Sequence, residues 1–258
     1  MPGAATNEAL KAAGLFDVSH ITALVTGGAT GIGLMITQAL VSNGAKVYIV
    51  SRRQEVLEKT VELYNTGPGS LHAIVGDVSS KVGAVKLAEE LGKKESGGIQ
   101  LLVNNAGIAR DDNTKFLAFL PLLAKGSSTT PGYSSSVINV SSISGAMKGS
   151  SMGQFAYASS KAASTHLSRM LALAFKDVKV RVNVIAPGVF PSEMTTGSSH
   201  DDNKSSMDMD STNPAGRKGM DSDMAATVLF LAGKGGVFYN EQILYPDGGV
   251  TLSDPSVK

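Results

Sequence analysis

Short apolar runs rich in β-branched residues alternate along the chain with longer stretches whose apolar positions recur at helical spacing. The runs are nearly continuous, which is typical of strands buried on both faces of a parallel sheet. Strands that alternate with helices indicate an α/β domain with helices on both faces of the sheet. The pattern predicts strands at 22–26, 46–50, 72–76, 99–104, 137–140, 181–186 and 242–244, and helices at 32–43, 54–64, 82–95, 155–175 and 221–233.

Right-handed crossovers between successive parallel strands would produce a doubly wound, mostly parallel seven-stranded sheet. Neither an internal repeat nor an interdomain linker interrupts the pattern, so we predict one domain over 1–258 that begins with an extension at 1–19. The segment 191–218 is polar and rich in Ser, Asp and Met. Long loops in compact domains are usually lids or disordered, and we predict a substrate lid there.

The composition narrows the class of protein. Hydrophobic residues make up 42% and charged residues 17% of the 258 residues, as in a folded globular chain. The net charge is +1 without a long basic run, and no apolar run could cross a bilayer, which argues against nucleic acid and membrane partners. There is no cysteine, the four histidines lack ligand-like spacing, and the N-terminus lacks a signal-peptide pattern. We therefore expect no metal site and a cytoplasmic location.

A glycine-rich turn directly follows the first predicted strand and leads into an apolar helix. It contains Gly27, Gly31 and Gly33, with Thr30 and Ile32 among them. Glycines permit a tight turn and close approach of the backbone to a diphosphate, which the free N–H groups and positive dipole of the helix start would bind. Because the turn lies between a strand and a helix at the first crossover, it predicts a dinucleotide site rather than an incidental bend.

The end of the second strand is where a dinucleotide-binding domain contacts the ribose. An NAD-binding protein places an acidic residue there to accept a hydrogen bond from the 2′-hydroxyl. This chain has Ser51 followed by Arg52 and Arg53, and guanidinium groups suit a 2′-phosphate that a carboxylate would repel. The pattern favours NADP(H) over NAD, unless both arginines are ordinary solvated residues at a helix start, which would leave the preference open.

Tyr157 and Lys161 lie at the start of the fourth predicted helix, with the i, i+4 spacing that puts both on one helix face. A nearby ammonium favours the phenolate form of a tyrosine, so this tyrosine could exchange a proton with a substrate oxygen near neutral pH. Such a pair also arises by chance. Its position just after Ser142 and Ser144, which follow the fifth strand, makes it informative.

With these features the chain resembles the classical short-chain dehydrogenase/reductase family over essentially all of 20–252. The resemblance implies a Rossmann-type fold, hydride transfer between a nicotinamide cofactor and a carbonyl or alcohol, and a homodimer or homotetramer. It also implies that the strand-end serine bonds the substrate oxygen, Tyr157 transfers the proton, and Lys161 assists Tyr157 and binds the nicotinamide ribose. Ser142, followed by x-x-Gly, matches that serine best, and Ser144 is the weaker alternative.

The resemblance extends the set of cofactor contacts to the ends of the other strands. It implies adenine contacts after the third strand, support from an Asn-Asn-Ala-Gly tetrad after the fourth, and carboxamide contacts in the loop after the sixth. The residues implied are Asp77, Val78, Asn104, Ala106, Gly107, Pro187, Gly188 and Ser192, in addition to Tyr157, Lys161, the arginines and the glycine turn.

The segment 108–136 departs from the family pattern. The family has a long helix there, which carries an asparagine of the catalytic tetrad and commonly joins a subunit interface. Here Asn113 lies too close to the fourth strand, and 116–123 resembles only the end of that helix. Either the protein truly lacks most of the helix, or residues of the natural protein are absent from this sequence. We favour the second, because a buried parallel sheet tolerates an uncovered face poorly.

Three functions are compatible with these patterns. The first is an NADP(H)-dependent carbonyl reductase or alcohol dehydrogenase for a small molecule, and the second is a non-catalytic NADP(H)-binding regulator. A regulator would not need Ser142, Tyr157 and Lys161 together. Sugar epimerisation or dehydration is less compatible with the compact glycine turn. Apolar residues flank the expected pocket and suggest a bulky apolar ketone, although such residues are equally often core: Met147, Met152, Phe155, Phe190 and Met194.

Overall fold

The computed structural model describes residues 7, 10–106, 114–149, 151, 153–207 and 213–253. The strands in this part are β1 (Thr22–Thr26), β2 (Lys46–Ser51), β3 (Ser70–Val75), β4 (Leu101–Asn104), β5 (Ser135–Val140), β6 (Val180–Ile185) and β7 (Ile243–Leu244). The helices are α1 (Ala12–Leu15), α2 (Gly31–Ser42), α3 (Gln54–Tyr64), α4 (Lys81–Lys94), α5 (Thr114–Thr129), α6 (Phe155–Ala174), α7 (Glu193–Thr196), α8 (Asp221–Ala232) and α9 (Val250–Ser253). Each predicted strand and helix is present, with its ends shifted by at most two residues.

The seven strands of the described chain form one sheet in the order β3-β2-β1-β4-β5-β6-β7, and every neighbouring pair is parallel. Ala23 of β1 is in register with Val47 of β2 on one side and with Leu101 of β4 on the other. Strands β2 and β3 therefore extend the sheet on one side of β1, and β4 to β7 extend it on the other side. The predicted doubly wound sheet is confirmed, and its direction reverses between β1 and β4, where such folds bind ligands.

Both faces of the sheet are covered, because successive side chains of each strand enter different cores. Val25 and Val103 belong to one core, which includes residues of α2, α3 and α8. Leu24 and Leu102 belong to the other, which includes residues of α4 and α5. Burial on both faces explains why the strands are continuous apolar runs in the sequence.

Helix α5 corrects one expectation from the sequence. Rather than the remnant of a helix end, the structure has a helix of 16 residues between β4 and β5. Its Phe119 and Leu123 are buried in the same core as Leu24 and Leu102. The helix therefore covers this face of the sheet, as a buried parallel sheet requires. The junction before α5 at 107–113, with Asn113, lies outside the described residues.

The predicted lid segment 191–218 is irregular in its described parts apart from the single turn of α7. Ser192 near its start lies against Gly31 of the glycine turn, and Asn203 further along lies against α3. Asn203 donates to the carbonyl oxygen of Val56 at 3.1 Å and to the hydroxyl of Thr60 at 2.9 Å, and both acceptors are on α3. No helix among the described residues is both long and apolar enough to span a membrane.

Candidate active site

The candidate active site lies at the edge of the sheet where the carboxyl ends of the strands meet. Because all strands are parallel, the residues that follow β1, β2, β4, β5 and β6 reach this same edge. The glycine turn follows β1, the arginines follow β2, Asn105 follows β4 and the serines follow β5. The topology thus brings together segments that are far apart in the sequence.

The glycine turn between β1 and α2 has a backbone shape that side chains would disrupt. Gly27 and Gly31 have φ angles of +64° and +52°, in the left-handed region that favours glycine. A Cβ on Gly33 would lie 2.0 Å from the carbonyl oxygen of Gly27. Ile32 is half-buried between two glycines, so the first turn of α2 carries few side-chain atoms over its N–H groups. This arrangement fits the diphosphate of a dinucleotide.

Asn105 supports the glycine turn from the end of β4, a role that the sequence interpretation missed. Its side-chain amide donates to the carbonyl oxygens of Thr26 at 3.1 Å and Gly27 at 3.0 Å. The Thr26 hydroxyl in turn accepts hydrogen bonds from the backbone N–H groups of Asn105 and Ala106, both at 3.1 Å. The available signal was the tetrad itself, since an asparagine after a central strand can bond a neighbouring strand end.

The two arginines after β2 have different surroundings. Arg52 is exposed and makes no hydrogen bond or ion pair with any residue that the structure describes. Arg53 holds the carboxylate of Glu193 through two hydrogen bonds, at 3.1 and 2.9 Å. The Ser51 hydroxyl accepts a hydrogen bond from the backbone N–H of Arg53 at 3.2 Å. Both arginines therefore lie after β2 as predicted, but Glu193 is already paired with one of them.

The predicted adenine contacts lie just after β3, and the predicted supporting asparagine Asn104 ends β4. The carboxylate of Asp77 accepts hydrogen bonds from the backbone N–H and the hydroxyl of Ser79, at 2.8 and 2.9 Å. Val78 is half-buried next to it. Asn104 donates to the side-chain oxygen of Asn139 on β5 at 2.9 Å, which ties the ends of the two central strands together.

The segment after β5 packs directly onto helix α6. Ser142 caps the short 3-10 turn Ile143–Gly145, and its hydroxyl oxygen accepts a hydrogen bond from the N–H of Ser144 at 3.1 Å. This leaves the hydroxyl hydrogen of Ser142 to be donated elsewhere. A Cβ on Gly145 would lie 2.7 Å from the carbonyl carbon of Lys161, so the turn and the lysine are in close contact.

Ser141 has a structural role instead. Its side chain is buried, and its hydroxyl donates to the carbonyl oxygen of Lys161 at 2.9 Å and lies 3.0 Å from the hydroxyl of Thr165. These contacts join the end of β5 to α6 and leave Ser142 as the better match to a serine that contacts substrate.

Tyr157 and Lys161 lie one turn apart on α6 and face the end of β5. The Nζ atom of Lys161 is 5.6 Å from the centre of the Tyr157 ring and donates to the carbonyl oxygen of Val140 at 3.2 Å. Burial lowers the pKa of the Lys161 ammonium, because the charged form loses hydration. The predicted proximity of an ammonium and a tyrosine at this strand end is present.

The loop after β6 closes the site from the other side. The carbonyl oxygen of Pro187 accepts a hydrogen bond from the N–H of Ile143 at 3.1 Å, and a Cβ on Gly188 would lie 2.8 Å from the Cα of Asp247. Ser192 is the N-cap of α7, and a Cβ on Gly31 would lie 2.9 Å from the Cβ of Ser192. The loop therefore spans from the serine turn to the glycine turn.

The apolar residues that were expected to flank a pocket have different positions. Phe190 is 3% exposed and belongs to a hydrophobic core, whereas Phe155 and Met194 are 70% and 72% exposed. Met147 is half-buried. Met152 and the predicted cofactor contact Gly107 lie outside the described residues. Among the described residues, no group of three or more acidic or histidine side chains is placed to hold a metal ion.

Two protein-family models together match the chain from residue 21 to residue 251. The family model described as short chain dehydrogenase matches residues 21–122, and the model described as Enoyl-(Acyl carrier protein) reductase matches residues 116–251. The short-chain dehydrogenase/reductase PhomF′ of Diaporthe leptostromiformis is 37% identical over 285 aligned residues, which cover 96% of this chain and 97% of the relative. Because the alignment is longer than the 258-residue chain, that relative has residues without a counterpart here.

Two further comparisons concern Pseudomonas aeruginosa. Its rhamnolipids biosynthesis 3-oxoacyl-[acyl-carrier-protein] reductase is 37% identical over 261 residues, which cover 92% of this chain and 98% of the relative. The solved structure described as the Pseudomonas aeruginosa RhlG/NADP active-site complex is 33% identical, with a TM-score of 0.78, and the match covers 92% of this chain and 98% of that one.

Proposed function

Since the chain belongs to the short-chain dehydrogenase/reductase family, we propose that it is an NADP(H)-dependent oxidoreductase that interconverts a carbonyl compound and a secondary alcohol. The observation that carries this proposal is the Lys161 ammonium, held between the Tyr157 ring and the carbonyl oxygen of Val140 at the edge that also bears the glycine turn. A tyrosine beside an ammonium suits proton transfer to a substrate oxygen. The name of the similar Pseudomonas reductase supports a carbonyl group as the substrate.

Each of the three polar side chains has a defined part in this reaction. When bound, the nicotinamide cofactor supplies a hydride to the carbonyl carbon or removes one from the alcohol carbon. Tyr157 transfers its hydroxyl proton to the carbonyl oxygen and takes it back in the reverse direction. Ser142 donates its hydroxyl hydrogen to the same oxygen, which holds that oxygen beside Tyr157 and stabilises the developing charge. Lys161 places its positive charge beside the Tyr157 ring and would donate to a ribose hydroxyl of the cofactor.

The preference for NADP(H) follows from the charges at the end of β2. Ser51 stands where an NAD-binding protein has a carboxylate, and both Arg52 and Arg53 follow it. Guanidinium groups bind phosphate through paired, charge-assisted hydrogen bonds. The similar solved structure is described as an NADP complex, which supports the same preference.

Oxidation of the two reduced cofactors by the purified chain tests this proposal. We expect oxidation of NADPH at a higher kcat/KM than NADH, with a panel of aromatic ketones, quinones and a 3-oxoacyl thioester as acceptors. An equal or higher kcat/KM with NADH would contradict the cofactor preference. If NADPH binds but no acceptor on the panel is reduced, the carbonyl-reductase proposal fails.

Replacing Arg52 with alanine tests the phosphate contact separately from catalysis. We expect NADPH to bind about 10- to 100-fold more weakly, because a hydrogen bond to a charged group contributes roughly 1.5–3 kcal/mol. NADH binding should stay nearly constant, since that cofactor has no 2′-phosphate. Titration of cofactor fluorescence measures both constants. Arg169→Ala on the exposed side of α6 is the matched control, and equal losses for NADPH and NADH would refute the role of Arg52.

A further inference from the structure

The carboxylate of Glu193, the first residue of α7, accepts hydrogen bonds from two side chains, Arg53 and Ser199. Arg53 donates from Nη1 to Oε1 at 3.1 Å and from Nη2 to Oε2 at 2.9 Å, a paired arrangement. Ser199 donates its hydroxyl to Oε1 at 2.9 Å. Thr30, at the N-cap of α2, does not use its hydroxyl to cap the helix.

These donors keep Glu193 ionised. The hydrogen bond from Arg53 contributes most to lowering the pKa of the Glu193 carboxyl, and the side chains of Ser199 and Thr30 lower it further. Partial burial acts in the opposite direction but is outweighed. Arg53, Ser199 and Glu193 therefore form an anion site with its anion in place, in which a side-chain carboxylate is paired with a guanidinium.

This anion site coincides with the place where the fold receives the ribose of a dinucleotide. Arg53 comes just after the end of β2, where a doubly wound fold contacts the 2′ position, and Thr30 lies in the glycine turn. The Cβ of Ser192, the residue before Glu193, is packed against Gly31 of the same turn. A 2′-phosphate would require the donors that Glu193 occupies, and two anions cannot share one guanidinium without repulsion.

We propose that Glu193 occupies the 2′-phosphate site of the cofactor-free chain, so that a 2′-phosphorylated nucleotide must displace it from Arg53. Glu193 is then a specificity-determining residue that lies outside the nucleotide-binding strands. It reduces the advantage of NADP(H) over NAD(H), because only the phosphorylated cofactor has to break the pair. The inference rests on the proposed NADP(H) binding.

Displacement also has a structural consequence for α7. The neighbouring part of the loop has its own attachments, from Asn203 to α3 and from Lys204 to Asp221. Loss of the Arg53 contact would therefore release α7 while the segment around Asn203, which is 7% exposed, stays docked. Arg53 thereby links occupation of the 2′-phosphate site to the position of the loop that follows β6.

The test uses adenosine 2′,5′-bisphosphate, which carries the 2′-phosphate without the nicotinamide, and 5′-AMP as the matched probe without it. We expect Glu193→Gln to tighten binding of the bisphosphate about 2- to 5-fold by calorimetry, the range given by a partly exposed ion pair. Binding of 5′-AMP should not change. The Glu90→Gln variant on α4 has the same change in charge and should bind both probes as the parent chain does.

A double-mutant cycle with Arg53→Gln assigns the effect to the pair. In the Arg53→Gln background, Glu193→Gln should produce no further gain in affinity for the bisphosphate. Hydrogen exchange of the α7 amides should increase in the parent chain on adding the bisphosphate and be unaffected by 5′-AMP. Thermal unfolding of each variant checks that the fold is retained.

The outcomes separate this inference from the proposed function. An unchanged affinity in Glu193→Gln, or an equal gain in the Arg53→Gln background, overturns the role of Glu193 while NADP(H) binding stands. If the parent chain binds neither the bisphosphate nor NADPH, the proposed NADP(H) binding fails and the inference fails with it.

Discussion

Replacing Tyr157 with phenylalanine should lower kcat for carbonyl reduction by a factor of about 10² to 10⁴, the usual contribution of a positioned acid or base. The substitution removes one oxygen atom and keeps the aromatic ring that lies 5.6 Å from the Lys161 ammonium. The substrate oxygen then lacks the hydroxyl group of Tyr157 that would donate its proton. Steady-state kinetics with saturating NADPH measures the loss, and fluorescence titration should show that NADPH still binds.

A matched control removes the same hydroxyl elsewhere. The ring of Tyr239 packs against Phe230 at a centroid distance of 4.7 Å, away from the active-site edge. The Tyr239→Phe variant should therefore retain the parental kcat. Turnover that survives in Tyr157→Phe, with the control unaffected, would show that another group donates the proton. A loss of both turnover and NADPH binding would instead indicate that the hydroxyl supports the cofactor site.

Replacing Gly33 with alanine should both lower the stability of the domain and strongly weaken its binding of NADPH. The new Cβ would lie 2.0 Å from the carbonyl oxygen of Gly27 and 2.5 Å from the side-chain nitrogen of Asn105. The first of these is backbone, so the glycine turn itself would have to move. Overpacking of this kind costs roughly 1–3 kcal/mol or more of folding free energy. Displacement of the turn by about 1 Å should lower the rate of the catalysed reaction about 100-fold.

Thermal unfolding and NADPH titration measure the two effects of Gly33→Ala. Gly14→Ala is the control, since a Cβ on Gly14 would meet no atom within 4 Å and alanine favours the helical conformation of α1. We expect that variant to unfold and bind NADPH as the parent chain does. Parental NADPH affinity in a folded Gly33→Ala chain would show that the glycine turn does not bind the diphosphate.

Local patterns in the sequence were sufficient to predict the elements and the residues at the strand ends. Continuous apolar runs marked the strands because burial on both faces demands them, and the helices followed from apolar spacing. Gly27 and Gly31 were predicted from their position between a strand and a helix, and both have positive φ angles. The spacing of Tyr157 and Lys161 placed them on one face of α6, where the structure has them.

Some features could not be predicted because the residues that create them are not neighbours in the sequence. Phe190 was expected near a pocket but lies in the core, since burial depends on which helices pack over the loop. The remnant expected at 116–123 is part of a 16-residue helix because α4 and the sheet offer it an apolar surface. Nothing in the local pattern distinguishes such outcomes from their alternatives.

By itself the sequence determined the doubly wound class, the glycine turn, the arginines after β2 and the tyrosine–lysine pair, because each depends on periodicity or on spacing within one element. Tertiary structure alone decided that Asn105 supports the glycine turn and that Glu193 is paired with Arg53. The second pair is separated by 140 positions in the sequence. Such contacts follow from strand order and loop packing, which bring distant segments to one edge and which no local pattern encodes.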